Sequence, residues 1–285
     1  MSALRAVGLV PHRERPAARE LADRAAAWFR DHGVRVYVPE PDAVGVTAEV
    51  RSAESFADGL DVVLSLGGDG TMLHTVELIY DAGVPVLGVN LGRMGYLTEL
   101  EPAALDGALD KLLAGDFDVA ERMVLQVEVD STRPAGGKWW ALNEAVLEKA
   151  HPARMAQLDV SINGAYFTSY SADGVIVATP TGSTAYSFSA RGPIVSPRLR
   201  CFLLTPVSPH MLFDRALVLD AEEELHLEIL GDREVLLTID GRELGTLETG
   251  ASVTCRGGPH PARIVTFGGR DFHQILKTKF GLADR

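Results

Sequence analysis

The first 116 residues alternate short, continuous apolar runs with segments of helical period, and that alternation restricts the chain to a parallel sheet with helices on both faces. Leu4–Val10 reads as a buried strand. Pro16–His32 follows as a helix, with Leu21, Ala25, Trp28 and Phe29 on one apolar face and Gly33 as its stop. Val34–Val38 is a second strand. Ser52–Asp58 is expected to be a short helix opened by Ser52, although no acidic residue stands three positions on to complete the cap. Leu60–Leu66 is a third strand, a run typical of one covered on both faces. Thr71–Tyr80 predicts a helix, Val84–Val89 a strand and Pro102–Leu113 a helix.

The pattern changes near Phe117. From there to Phe267 the chain breaks into short β-branched or alternating runs: Val124–Val129, Leu158–Ile162, Val175–Ala178, Cys201–Leu204, Leu225–Ile229, Val235–Ile239 and Ile264–Phe267. Asn163–Gly164, Asp240–Gly241 and Gly257–Gly258 punctuate them as turns, and Ser131–Gly137 reads as a polar hairpin tip. The expected organisation is α/β plus mainly β. Residues 1–116 form an α/β domain of nucleotide-binding type, 117–267 an antiparallel β domain, and 268–285 a tail whose helix, Phe272–Phe280, packs back on the first domain.

Composition narrows the function. A chain that is 46% hydrophobic and 23% charged is globular. No stretch approaches the roughly 18–20 apolar residues of a membrane span. The N-terminus lacks a basic segment followed by an apolar core, so the cytoplasm is the expected compartment. A net charge of −12 argues against a general nucleic-acid binder. It does not argue against phosphate ligands, which backbone amides bind without lysine. Cys201 and Cys255 lie in apolar, strand-like runs and are expected to be buried free thiols. The eight histidines show no metal-binding spacing, so no protein metal cage is expected.

Chemistry concentrates at Gly67–Gly68–Asp69–Gly70–Thr71, between an apolar strand and a helix. The glycines let the backbone approach a ligand, and the helix N-terminus offers unpaired N–H groups. An aspartate inside such a phosphate cradle would repel the anion. It makes sense if Asp69 takes a proton from an attacking hydroxyl or helps hold a metal ion; the structural alternative is a helix cap through Thr71. A second glycine loop, Asn90–Leu97, follows the next strand, and Tyr96 within it is either a stacking platform for a base or a core aromatic. Asn143–Glu144 fits ribose hydroxyls or an adenine edge, and equally a polar turn. Ser171–Ala172–Asp173–Gly174 leads into a strand, and the hydroxyl-rich Thr179–Ser187 run after it reads as a site wall of hydroxyls and amides in preference to a surface loop. Pro206–His210 reads as a rigid turn in which His210 is structural or, equally, functional, and Asp240–Gly241 is a hairpin turn first.

Together these segments resemble bacterial NAD kinase: Gly-Gly-Asp-Gly-Thr at 67–71, Asn-Leu-Gly-Arg-Met-Gly-Tyr-Leu at 90–97, Asn143–Glu144, Asp173–Gly174 and Thr-Pro-Thr-Gly-Ser-Thr-Ala-Tyr at 179–186. They occur in the family's order over most of the chain. The 179–186 run is highly specific, whereas lipid kinases and phosphofructokinases carry elements like the first. The resemblance implies a nucleotide between the two domains, ATP or polyphosphate as donor, NAD as acceptor, Mg²⁺ or another divalent metal with the donor phosphates, and a homodimer or homotetramer. It assigns Asp69 as base. Gly67, Gly68, Gly70, Thr71 and Ser171 fall to the donor. Gly70, Tyr96, Asn143, Glu144, Asp173, Thr184, Ala185, Tyr186, Ser189 and Asp240 fall to the dinucleotide, some of them reaching it from a neighbouring subunit.

Two positions depart from that family pattern. Arg191 stands where a glycine is expected; if the backbone there needs a positive φ, the cost is about 1 kcal/mol or more. Ser171 lies where family members differ with donor choice, and a small hydroxyl leaves that choice open. A lipid kinase or a non-catalytic dinucleotide sensor are the rival readings.

Overall fold

The computed structural model describes residues 4–43, 45–92, 95–152, 154–268 and 271–282. In chain order the strands and helices begin with β1 (Ala6–Pro11), α1 (Pro16–Asp31), β2 (Arg35–Pro39), β3 (Glu49–Arg51), β4 (Val62–Gly67), α2 (Asp69–Ile79), β5 (Val86–Asn90), α3 (Leu105–Ala114) and β6 (Asp118–Arg122). There follow β7 (Leu125–Asp130), β8 (Gly137–Ala141), β9 (Glu144–Lys149), β10 (Ala156–Ile162), β11 (Ala165–Ala172), β12 (Gly174–Ala178) and α4 (Tyr186–Ser189). The series ends with β13 (Cys201–Val207), β14 (Leu217–Asp220), β15 (Leu225–Ile229), β16 (Val235–Ile239), β17 (Arg242–Leu247), β18 (Ser252–Gly257), β19 (Ala262–Thr266) and α5 (Phe272–Phe280). None of the helices among the described residues is long and apolar enough to cross a membrane.

The chain divides into two compact units, 1–121 with 262–285, and 122–261. The first holds a seven-stranded sheet ordered β3-β2-β1-β4-β5-β19-β6. Strands β1 to β5 and β19 pair in parallel. The runs of β1, β4 and β5 are buried along their whole length, as strands covered on both faces are. Val7, Leu9, Leu64, Leu66 and Leu87 are fully buried against Ala25 and Phe29 of α1 and Leu105, Leu109 and Leu112 of α3. Each such side chain contributes about 1.5–3 kcal/mol. Chain order reverses between β1 and β4: β1 leads outward to β2, and β4 leads outward the other way to β5. The loops leaving the carboxyl ends of β1 and β4 therefore diverge and leave a crevice, the place where open α/β sheets bind ligands.

The second unit holds two six-stranded sheets, β11-β10-β15-β18-β7-β8 and β14-β13-β12-β9-β16-β17, in which the pairings are antiparallel. Leu125, Val127, Leu158, Val160, Leu225 and Val253 of one sheet share a core with Leu147, Val175, Val177, Phe202, Leu204 and Leu237 of the other. Two hairpins turn where expected. Asn163 and Gly164 take φ of 52° and 77°, and Asp240 and Gly241 take 50° and 80°, the left-handed pair that matches strand twist. Cys201 and Cys255 are buried free thiols, and burial pushes the Cys255 thiol up to about 12.

Two expectations are corrected. Ser52–Asp58 is not a helix but a chain of turns with i→i+3 bonds, Ser55 N to Ser52 O and Asp58 N to Ser55 O; the Ser52 hydroxyl, instead of capping a helix, meets the Ser55 hydroxyl at 3.1 Å. Helix α2 starts at Asp69 rather than Thr71, which makes Asp69 its first residue. The compact units divide at 121/122 and 261/262. The strand read at Ile264–Phe267 belongs to the first sheet, with Ile264 opposite Val86 and Val265 in the first core.

Arg191 does occupy left-handed backbone, at φ 69°. The chain must turn there because Gly192 lies against α4, where an added Cβ would stand 2.2 Å from Ser187 Oγ. Arg191→Val is expected to lower stability by about 1–2 kcal/mol, since a β-branched residue tolerates this region worst. Arg191→Gly should not destabilise the protein. Chemical denaturation of the two variants checks the difference.

Candidate functional site

The loops at the first unit's crevice form a cleft of about 710 Å³. It is lined by Pro11 to Arg15 after β1, Asp42 beyond β2, Gly68 to Thr71 and His74 at the start of α2, and Gly92 after β5. At Gly68 and Gly70 an added Cβ would meet open space, so these two leave backbone bare beside the cleft. Gly67 serves packing instead, because its missing Cβ makes room for Thr71, whose Oγ1 would lie 2.1 Å away.

Asp69 does not cap its helix. The N-cap is Gly68, with no side-chain cap bond. The Asp69 carboxylate instead reaches the second glycine loop, where Tyr96 N donates to Oδ2 at 2.9 Å and Leu97 N donates to Oδ1 at 3.1 Å. Gly95 makes this approach possible, since a Cβ there would stand 2.1 Å from Asp69 Oδ1. The two loops, distant in sequence, together hold a carboxylate at the cleft. Arg93 and Met94 of the second loop lie outside the described residues. Tyr96 is half-buried, neither core nor free: the ammonium of Lys279 on α5 sits 3.7 Å from its ring centroid, and burial and the nearby Asp69 charge both raise its phenol pKa.

Asp42, beneath the same cleft, was not singled out from the sequence; nor were its partners. Arg13 Nε donates to Asp42 Oδ1 at 2.5 Å and His74 Nε2 lies 2.9 Å from Oδ2. Burial would raise the Asp42 pKa, but the hydrogen bonds and charges of His74 and Arg13 outweigh it and the net shift is downward. These three residues come from separate segments, and no local pattern links them.

The remaining predicted residues lie in the second unit. Leu142–Glu144 is bracketed from two sides. Asp240 accepts the N–H groups of Leu142, Asn143 and Glu144 at 2.7, 2.8 and 3.0 Å. On the other side Thr179 N donates to Asn143 O, and Gly182 packs so closely that a Cβ would stand 2.1 Å from that oxygen. Asp240 therefore acts as a scaffold for Asn143–Glu144. Glu144 is buried, its Oε2 has no hydrogen-bond partner, and desolvation followed by the charge of Asp240 raises its pKa to about 8.

The hydroxyl wall is only partly as expected. Thr179 Oγ1 donates to Leu142 O, Ser183 Oγ to Pro180 O, and the Ser187 hydroxyl meets that of Thr205. All three serine and threonine side chains are buried in holding the turn. Thr184, Ala185, Tyr186 and Ser189 remain at least partly accessible. Tyr186 OH donates to Glu148 Oε1 at 2.7 Å; burial and that bond push it up to about 12. Asp173 pairs with Lys149 at 2.5 Å. Ser171 lies on β11 with its hydroxyl 3.7 Å from Met155 Sδ, and its backbone carbonyl accepts His210 N.

A glycine cradle at a sheet's switch point, with a carboxylate seated in it, defines a nucleotide-binding phosphotransferase. Residues 7–117 match the family model described as ATP-NAD kinase N-terminal domain, and 142–267 the model described as ATP-NAD kinase C-terminal domain. A protein named NAD kinase from Syntrophotalea carbinolica is 35% identical over 99% of this chain and 100% of its own length. The crystal structure of an NAD kinase from Archaeoglobus fulgidus in complex with ATP is similar with a TM-score of 0.71 and 26% identity, covering 98% of each chain. The yeast NADH kinase complexed with NADH matches the fold with a TM-score of 0.91 at 24% identity, over 100% of this chain and 90% of that one. The chain belongs to the NAD kinase family.

Two outcomes are expected. Gly95→Ala forces the Asp69 carboxylate off its amide donors, so kcat should fall at least about tenfold with the melting temperature little changed. Glu144 has its pKa raised from 4.5 to about 8, so its contribution to stability is fully present below pH 4.5 and is lost as pH rises through 8. Glu144→Gln removes that loss. Thermal melts should find the variant matching the parent near pH 5 and more stable than it, by on the order of 1–3 kcal/mol, near pH 9.

Proposed function

We propose that this chain transfers the terminal phosphoryl group of ATP or polyphosphate to the 2′-hydroxyl of the adenosine ribose of NAD, giving NADP. The observation that carries the reading is the Asp69 carboxylate, held by the Tyr96 and Leu97 amides at the edge of the Gly68–Thr71 cradle. Asp69 accepts a hydrogen bond from the ribose hydroxyl and takes its proton as the oxygen attacks the terminal phosphorus. The bond from that phosphorus to the bridging oxygen breaks, and ADP or a shortened polyphosphate leaves. The amides of the Gly67–Thr71 loop, left bare at Gly68 and Gly70, hold the donor phosphates. A general base contributes about 10²–10⁴-fold; position and charge stabilisation supply the rest.

The ATP bound by the Archaeoglobus relative supports ATP as donor. Mg²⁺ typically binds through one or two carboxylates plus substrate phosphates, and Asp69 is the candidate carboxylate. When bound, the ion would neutralise charge on the phosphate oxygens. Asn143, Glu144, Asp173, Thr184, Ala185, Tyr186 and Ser189 hold the dinucleotide, and Asp240 orders the first two. A homodimer or homotetramer completes the assembly.

Purified protein incubated with NAD, Mg²⁺ and each donor in turn should form NADP, and Asp69→Asn should lower kcat by at least about 10² while NAD still binds. Near-normal turnover in Asp69→Asn removes the residue from the base role.

A further inference from the structure

Resting on that reading, we infer that Arg13 and His74, pinned side by side on buried Asp42, form with Arg15 a subsite for the distal phosphates of the donor, and that Asp42 is the positioning residue that sets it. The chain carries a net charge of −12, yet this cleft gathers His12, Arg13, Arg15 and His74. Its acids beyond Asp69 are Glu14 and Asp42, and Asp42 is already held by Arg13 and His74.

The geometry is that of a support and two presented side chains. The Asp42 side chain is 1% exposed, whereas Arg13 is 54% exposed and His74 31%. Asp42 has a lowered pKa and is ionised, so it accepts from both. It takes Arg13 through Nε, which leaves the two terminal nitrogens of the guanidinium, the fork suited to phosphate oxygens, outside that pair. Arg15 closes the opposite edge: its Nη1 donates to Leu91 O at 2.9 Å and lies against Gly92, where a Cβ would be 3.0 Å away. The cradle amides at Gly68 to Thr71 occupy one part of the same cleft. Phosphates beyond those they hold face Arg13, His74 and Arg15.

Steady-state kinetics with ATP and NAD varied separately test the inference on Arg13→Ala, Arg13→Lys and Asp42→Asn. Calorimetric titration of wild type and Arg13→Ala with inorganic tripolyphosphate accompanies them. Arg13→Ala should raise the ATP KM at least about tenfold and weaken tripolyphosphate binding by a similar factor, with the NAD KM within about twofold of the parent. Arg13→Lys should recover part of the loss. Asp42→Asn should raise the ATP KM with the NAD KM unmoved, a split that general loosening of the fold would not give. An ATP KM unchanged in Arg13→Ala, or a rise in the NAD KM in its place, overturns the subsite. If thermal melting shows Asp42→Asn unfolded, the two Arg13 variants decide. Wild type that binds tripolyphosphate but forms no NADP contradicts the proposed activity and leaves the subsite standing. NADP formation with an unaltered ATP KM in Arg13→Ala does the reverse.

Discussion

One carboxylate bridging two loops organises the first unit's chemistry. Asp69 is the first residue of α2, so its backbone belongs to the glycine loop after β4, while its side chain belongs to the loop after β5 through the Tyr96 and Leu97 amides. Everything around it serves that double attachment. Parallel pairing of β4 with β5 sets the two loops side by side. Gly95 clears the space for the oxygens, and Gly67 clears the space for Thr71 behind them. A carboxylate held by fixed amides needs no reorganisation when a hydroxyl arrives, which is what preorganised catalysis requires.

The second unit solves a related problem with the same means. A short polar segment, Leu142–Glu144, is fixed by a carboxylate from a hairpin turn, Asp240, and by the tight turn at Thr179–Gly182. The result is a buried acid, Glu144, with one oxygen unpartnered and its proton retained up to about pH 8. A buried, unsatisfied oxygen costs stability. Carboxyl groups with shifted pKa values cluster at functional sites, and a polar ligand atom would supply the missing bond.

Much of this was legible in the sequence where one local cause acts. Buried parallel strands read as continuous apolar runs, and Leu60–Leu66 is one; Asn-Gly and Asp-Gly demand left-handed backbone, and 163–164 and 240–241 adopt it. Legibility ended where the cause is distant. A strand such as β19 carries the same apolar pattern whichever sheet it joins, so its return to the first unit, opposite β5, was hidden. Ser52 offered a cap signal without the partner that makes one. The Gly95–Asp69 approach joins two separate loops, and Arg13, Asp42 and His74 meet from three segments. The hydroxyls of Thr179, Ser183 and Ser187 matched a ligand wall in composition, but the turn itself consumes them.

The central claim concerns where the Asp69 carboxylate stands when both substrates are bound. A crystal structure with NAD and a non-transferable ATP analogue measures it directly. The account predicts an Asp69 oxygen within about 3.2 Å of the adenosine ribose 2′-hydroxyl, with the Tyr96 and Leu97 amide bonds still in place. A carboxylate turned away from that hydroxyl, or a different acid beside it, would contradict the account.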